Sequence, residues 1–302
     1  MRNRVRAAEP AALKAAPGGS GAKPDRPQPT PAAKATPRAN HRCDPGWAIG
    51  ERTLAVRAAA DLEIANRQFY DALWRDARLV EPKRFNTWSL VRSLSAKARR
   101  RLEVAPGLRP RLAIEGTQFV DISAPALAKL RERGGNAVLG LVTSIPFPDD
   151  AFDLVCALDI VEHIDNDGGA LAELSRVAAP GAALLLSVPL HPSRWNAFDE
   201  FVGHRRRYEP ERLRDRLAEY GFSVESSAAY GMQPRSSRLL DLAMWSLVHR
   251  REKAMWWYNR ALMPLGVFFQ KNLVFHSGML SCDDVDEILL VCTKRERPHF
   301  AA

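Results

Sequence analysis

From Arg101 onward, short apolar runs alternate with segments whose apolar residues recur every three to four positions. The runs predict strands over 101–106, 117–122, 137–142, 152–158 and 182–188, and the recurring pattern predicts helices over 125–133 and about 167–177. Strands separated by helical crossovers form a parallel, doubly wound sheet. Further on, 210–220 reads as a helix ended by Gly221, and 222–228 and 286–293 as strands. Between these two strands, 238–275 carries Trp245, Trp256, Trp257, Phe268 and Phe269 and reads as an insertion of one or two helices. Before the first strand, Leu62, Asn66, Phe69, Tyr70, Leu73 and Trp74 recur at helical spacing, as do Trp88, Val91, Leu94 and Ser95. No internal repeat is visible.

A chain of 302 residues, 46% hydrophobic, fills one α/β core with appendages. Its formal charge is +9, but residues 1–46 hold nine Lys/Arg against three Asp/Glu, so the remainder carries only +3. The basic excess therefore gives little support to a nucleic-acid footprint. That leading stretch, rich in Ala, Pro, Gly, Lys and Arg, has too few large apolar groups to offset its ordering entropy and is expected to be disordered. Its prolines oppose the amphipathic helix of an organelle transit peptide. Cys43, Cys156, Cys282 and Cys292 form no CxxC pair, and Cys156 and Cys292 sit in apolar runs, which suggests buried small hydrophobes in a reducing, cytoplasmic setting. Neither a membrane-spanning run nor a hydrophobic signal core is found, so a soluble protein is expected.

The order RLEVAPG, GTQFVDIS, SIPFPDDAFDLVCALDIVEHI, AAPGAALLLSVP resembles the class I S-adenosylmethionine-dependent methyltransferases, in particular the methyltransferase type 11 domain group. The resemblance covers about residues 100–230, with DEILLVCTKR where that fold inserts its antiparallel strand. It implies a Rossmann-like, doubly wound, seven-stranded and mostly parallel sheet. In that organisation 1–50 is the tail and 51–298 the domain: 61–100 form lid helices, 101–230 the cofactor-binding core, 235–280 a helical insertion and 286–295 the last strand. The cofactor implied is S-adenosyl-L-methionine.

Ligands of doubly wound sheets bind at the carboxyl ends of the strands, beside the switch in strand order. Glu103, Ala105 and Gly107 end the first strand there. Asp121 and Ile122 end the second, with Asp121 near the spacing at which an acid accepts ribose hydroxyls. A carboxylate beginning the next helix is the other account of Asp121, although Ser123 already supplies that cap. Two departures from the family stand out. Ala105-Pro106-Gly107-Leu108-Arg109 keeps only the middle glycine of Gly-x-Gly-x-Gly, and about ten residues before Thr117 leave room for at most a short or irregular first helix. Arg109 is a candidate for the methionine carboxylate or a solvated loop residue. Leu141 stands where relatives often place an adenine-binding Asp, leaving Thr143 and the backbone through Ser144 to take over.

By resemblance, Asp159 lies beneath the sulfonium, and Glu162 with His163 opens the next helix facing the acceptor. In some related enzymes such a Glu-His pair binds a divalent metal or acts as a base. In the type 11 group it is generally structural, and no metal site is assigned here because one Glu and one His are too few ligands. Downstream, Trp195, Arg205, Arg206 and Tyr208, with Tyr70 on the lid, are candidates for acceptor binding, and His163, His204 and Asp159 for catalysis. Asp199, Glu200, Glu209 and Glu211 offer the arginines partners, so an ion-pair cluster is the competing account. At helical spacing Phe69 and Trp74 suit core packing. The aromatic insertion suits a lid over a lipid-like acceptor, at most peripheral membrane contact, or plain helix packing.

The activity implied is methyl transfer to a small-molecule acceptor by direct in-line displacement, which needs no covalent nucleophile. A degenerate methyltransferase fold that binds a ligand or partner without turnover is the alternative. A nicotinamide dehydrogenase is disfavoured by the missing Gly-x-Gly-x-x-Gly turn, and no nucleic-acid module is apparent outside the tail.

Overall fold

The computed structural model describes residues 77–231, 263–280 and 284–296, together with Tyr70, Asp71, Trp74, Arg75, Trp245, Trp256, Trp257 and Arg260. The tail at 1–50, Phe69, Cys43, Cys282 and most of the 235–280 insertion lie outside these residues. Eight strands form one sheet: β1 Arg101–Val104, β2 Thr117–Asp121, β3 Asn136–Leu139, β4 Phe152–Leu158, β5 Ala178–Pro189, β6 Phe222–Tyr230, β7 Phe275–Ser277 and β8 Glu287–Lys294. Their order is β3-β2-β1-β4-β5-β8-β6-β7. The pairs from β3 to β5 are parallel, and β8 runs antiparallel to both β5 and β6. This is the Rossmann-like topology that the resemblance implies, with β8 inserted between β5 and β6.

An eighth strand joins the seven expected. β7 pairs antiparallel with β6 at the sheet edge, within the stretch assigned to helices. Three residues are too few to display a two-residue alternation, so the strand forms only because β6 offers it a free row of amides and carbonyls. Helix α6 (Met263–Phe268) precedes it.

The other helices follow from their apolar spacing and caps. Helix α1 spans Trp88–Ser95 and buries Val91. Helix α2 spans Ala124–Glu132; Ser123 caps it, Pro125 sits in its first turn, and Ala126, Leu127 and Leu130 face the sheet. Helix α3, Asp167–Val177, is capped by Asn166 accepting from the Gly169 amide. Helix α4 spans Ala197–Val202, and α5 spans Pro210–Glu219, burying Leu213 and Leu217.

Alternate strand residues supply two cores on opposite faces. On one, Leu102, Val104, Val155, Leu184, Leu186, Ile288 and Leu290 pack with α3 and α5. On the other, Leu154, Cys156, Leu185 and Val291 pack with Val91 and Leu112, while Phe119 packs with Leu127 and Leu130. Cys156 and Cys292 are free and buried, as their apolar surroundings imply.

The link from β1 to β2 contains no helix. Glu103, at the end of β1, instead accepts the amides of Arg111 (2.8 Å) and Leu112 (2.9 Å) and pins the loop across the sheet. One carboxylate thereby satisfies two buried amides that a crossover helix would have paired internally.

Candidate functional site

At the carboxyl ends of β1 and β2, Asp121 is 5% exposed. Its Oδ1 accepts the Ser123 amide at 2.8 Å, and its Oδ2 crosses to accept the Gly107 amide at 2.9 Å. Burial raises its pKa to about 6 against the opposing pull of those amides. The Ile122 amide pulls in the same direction as those of Ser123 and Gly107. Glu103 is raised to about 7 by burial, with the Arg111 and Leu112 amides pulling the other way.

The altered glycine turn shows its cost and its use together. Ala105 sits at φ 53°, in the left-handed region that the usual glycine would take without strain. Gly107, at φ 54°, has the Trp74 indole against the face where a side chain would project: a Cβ there would stand 2.3 Å from Trp74 Cζ2. The Arg109 guanidinium lies 5.1 Å from the centre of the same indole. Trp74 is buried, as its helical spacing implied, and it packs on the loop itself. The segment is fastened further by Ser123 Oγ donating to Asp71 Oδ1 and by Lys129 Nζ donating to the carbonyls of Trp74, Arg75 and Ala77.

After β3 a tight turn brings Leu141 opposite Ser144, and the Gly140 amide donates to the Asp121 carbonyl at 3.1 Å. Thr143 and Ile122 are half-buried beside this turn, and Ser144 is exposed.

At the end of β4, Asp159 (φ 53°) turns the chain. Its amide donates to Ser187 Oγ at 3.0 Å, and that hydroxyl donates to Asp159 Oδ1. Glu287, from β8, is hydrogen-bonded to Asp159, and burial followed by the Asp159 charge holds its pKa well above the usual range. A carboxyl group raised in this way keeps its proton and can donate it in a hydrogen bond. Next comes Glu162, 1% exposed, raised well above its usual pKa by burial and then by Asp159. Burial, and then His204, lower His163 to about 3, so its ring is neutral near pH 7. The His163 and His204 rings meet edge to face at 4.8 Å, and Tyr70 stands edge-on to His163 at 6.3 Å. Tyr70 lies within electrostatic reach of Asp121, Asp159 and Glu162 together; burial, then Glu162, drive its pKa upward.

The structure therefore gathers Tyr70, Asp121, Asp159, Glu162, His163 and His204 at the carboxyl ends of the strands. The remaining acceptor candidates go elsewhere. Arg206 pairs with Asp167 and donates to the Ile164 and Asp165 carbonyls, and Tyr208 donates to Asp167 Oδ2. Arg205 faces Asp165 at 3.3 Å, and Arg207 is buried against Asp199. These contacts favour the ion-pair cluster; Arg206, Tyr208 and Arg216 line a 420 Å³ cleft around Asp167. Trp195 is 38% exposed and reaches Glu200. Sequence reasoning missed Ser187, Glu287, Arg111 and Tyr230. Arg111 bonds the Tyr230 hydroxyl at 3.2–3.3 Å, and both lie near Asp159 in charge terms. Strand register brings Ser187, Glu287 and Tyr230 to the site and the pinned β1–β2 loop brings Arg111, and local patterning encodes neither.

Residues 111–186 match the family profile described as a methyltransferase domain. This stretch is a methyltransferase domain. Among curated proteins the chain is similar to a demethylmenaquinone methyltransferase of Mycobacterium tuberculosis, 29% identical over 134 residues, or 43% of this chain and 57% of that protein. The chain thus spans little more than half the length of the curated relatives it matches. Among solved structures it is similar to an S-adenosylmethionine-dependent methyltransferase of Thermotoga maritima described as a possible histamine N-methyltransferase, at 16% identity and TM-score 0.47, covering 82% of this chain and 99% of that one. It is also similar to a phosphoethanolamine N-methyltransferase of Haemonchus contortus, at 16% identity and TM-score 0.44, covering 69% and 53%. The methyltransferase domain of this chain contains Asp121, Asp159, Glu162 and His163, whereas His204 lies beyond the matched residues. Among the described residues no helix is long and apolar enough to cross a membrane.

Proposed function

We propose that the chain is an S-adenosylmethionine-dependent methyltransferase acting on a small molecule. The observation that carries this reading is Asp121, a buried carboxylate held by the Gly107 and Ser123 amides at the carboxyl end of β2 inside the matched domain. A carboxylate there suits a ribose diol, since each hydroxyl donates to one oxygen. The backbone of the Gly107 loop would lie along the amino-acid end of the cofactor, and the turn at 141–144 would take the adenine through backbone groups and Thr143. When bound, the cofactor supplies an activated methyl group and its own leaving group. The protein's part is to hold the acceptor beside Asp159 and Tyr70, exclude water and accept a proton where the acceptor carries one. His163, held at about 3 by burial and then by His204, is a weak base for that last task. Demethylmenaquinone, named for the mycobacterial relatives, is an acceptor of the lipid-like class to try first. A cytoplasmic location belongs to the same proposal.

The indole resting on Gly107 favours a second reading. A chain that fills its own cradle with Trp74, carries Ala105 at a glycine position and lacks an acid at Leu141 would bind a partner or ligand without turnover. Isothermal titration with S-adenosylmethionine and S-adenosylhomocysteine separates the two. Micromolar binding that Asp121→Ala abolishes supports the enzyme, and folded protein that binds neither supports the second reading.

A further inference from the structure

The geometry points to a divalent transition-metal site formed by Glu162, His163 and His204. A carboxylate oxygen and one nitrogen from each ring all lie within 4.8 Å of one another. Both Nε2 atoms stand 3.9 Å from the same Glu162 Oε1. That separation is too long for a hydrogen bond, so the three groups converge on a common point without satisfying one another. Ligand atoms around tetrahedral zinc, with bonds of about 2.0–2.1 Å, lie roughly 3.3 Å apart. The set therefore closes on an ion by side-chain movements of up to about 0.8 Å each.

Glu162 supplies the independent sign. Its side chain is 1% exposed, and its Oε2 is buried without a hydrogen-bond partner. Among the described residues the basic side chains within 4 Å of it are these two histidines alone, while its acidic neighbours Asp159 and Asp199 add to the local negative charge. A buried carboxylate is stable when paired, protonated or bound to a cation, and a cation between the three groups answers all of them at once.

The surroundings hold one ligand as metal sites do. His204 Nδ1 lies 2.8 Å from Asp199 Oδ1. Asp199 is fully buried and is itself fixed by Arg207 Nε at 2.8 Å and the Asn196 amide at 2.9 Å. An ionised carboxylate only accepts, so Nδ1 carries a proton, and Nε2 is the ring nitrogen that faces Glu162. The Arg205 amide donates to the Glu162 carbonyl at 2.7 Å, joining the two segments that carry the ligands. Three protein ligands leave a position open to water or to an oxygen of a bound small molecule. Two imidazoles and a carboxylate suit Zn²⁺, Co²⁺ or Fe²⁺ better than Mg²⁺ or Ca²⁺, which prefer all-oxygen shells. The site does not depend on the methyltransferase reading and would stand in a protein that never binds the cofactor.

The test uses the untagged full chain, stripped with chelator and titrated with ZnCl₂ and CoCl₂. One equivalent of Zn²⁺ is expected to bind, and Co²⁺ to give the intense visible absorption of a four- or five-coordinate ion. Asp199→Asn is expected to weaken Zn²⁺ about 10–100-fold, and His204→Ala and Glu162→Gln to weaken it more, while His276→Ala, on the exposed edge strand, leaves it unchanged. Circular dichroism shows whether each variant folds. If one does not, the Co²⁺ spectrum of the unaltered chain decides alone: weak absorption like that of the aqueous ion overturns the proposal. So does stoichiometric binding that the folded His204→Ala variant retains.

Discussion

Gly107 donates its amide to Asp121 Oδ2 at 2.9 Å, tying the loop after β1 to the acid that ends β2. The bond makes the shape of the loop depend on the charge of the acid. Burial raises Asp121 to about 6 and Glu103 to about 7, both above ordinary carboxyl values. A group raised on folding stabilises fully below its unfolded pKa and loses that contribution as pH rises through the folded value. The share of stability from these two carboxyls is therefore expected to fall between about pH 4 and 7. Affinity for S-adenosylhomocysteine has the opposite slope, weakening below about pH 6 as Asp121 takes a proton and gives up an acceptor position. Melting temperatures and titrations at pH 5 and 7.5 check both; affinity independent of pH would remove Asp121 from the ribose role.

Gly107→Ala is expected to destabilise by about 1–3 kcal/mol, from left-handed strain and overpacking against the indole. The added Cβ would meet Trp74 at 2.3 Å. Part of the loss should disappear in a Trp74→Ala background, where the strain alone remains. A double-mutant cycle by urea unfolding measures the coupling, and additive effects would show that Trp74 does not rest there in solution.

Asp199→Ala leaves Arg207, 4% exposed, without its carboxylate. Removing one member of a buried pair costs on the order of 3–5 kcal/mol. Chemical denaturation should show a loss of that size, with Asp199→Asn milder because it keeps an acceptor. A loss below about 1 kcal/mol would mean that water reaches the guanidinium.

Lys129→Met removes one ammonium from three carbonyls, those of Trp74, Arg75 and Ala77. Unpaired helix-end carbonyls favour opening. Amide exchange over 70–80 is expected to rise about tenfold or more, as losing roughly 1.5 kcal/mol of charged hydrogen bonding implies, while exchange in β4 and β5 stays unchanged. Equal acceleration throughout would show that the segment unfolds only with the whole domain.

Local chemistry made much of the fold legible. The strand Phe152–Leu158 and the helix Asp167–Val177 have the bounds that their apolar spacing predicts, and Ser123 caps as its residue type requires. The short distance from Gly107 to Thr117 foretold a crossover without a regular helix. What escaped depends on tertiary pairing. Glu287 reaches Asp159 only because β8 lies beside β5 in one particular register. His204 joins Glu162 through a turn whose outcome no spacing announces. Arg206 and Tyr208, candidates for the acceptor, both bond Asp167, a pairing that no local spacing encodes.

The missing crossover helix has one more result. The sheet face over Leu112, Leu154, Cys156, Leu185 and Val291 is covered by Val91, with Trp88, Leu90 and Leu94 around it. That cover comes from chain preceding β1, so the residues before Arg101 are a buttress of the domain and not a dispensable flap. Truncation at Arg101 would bare five core side chains at once, and the matched domain, cut out at its own limits, is expected to aggregate where the chain beginning near residue 70 does not.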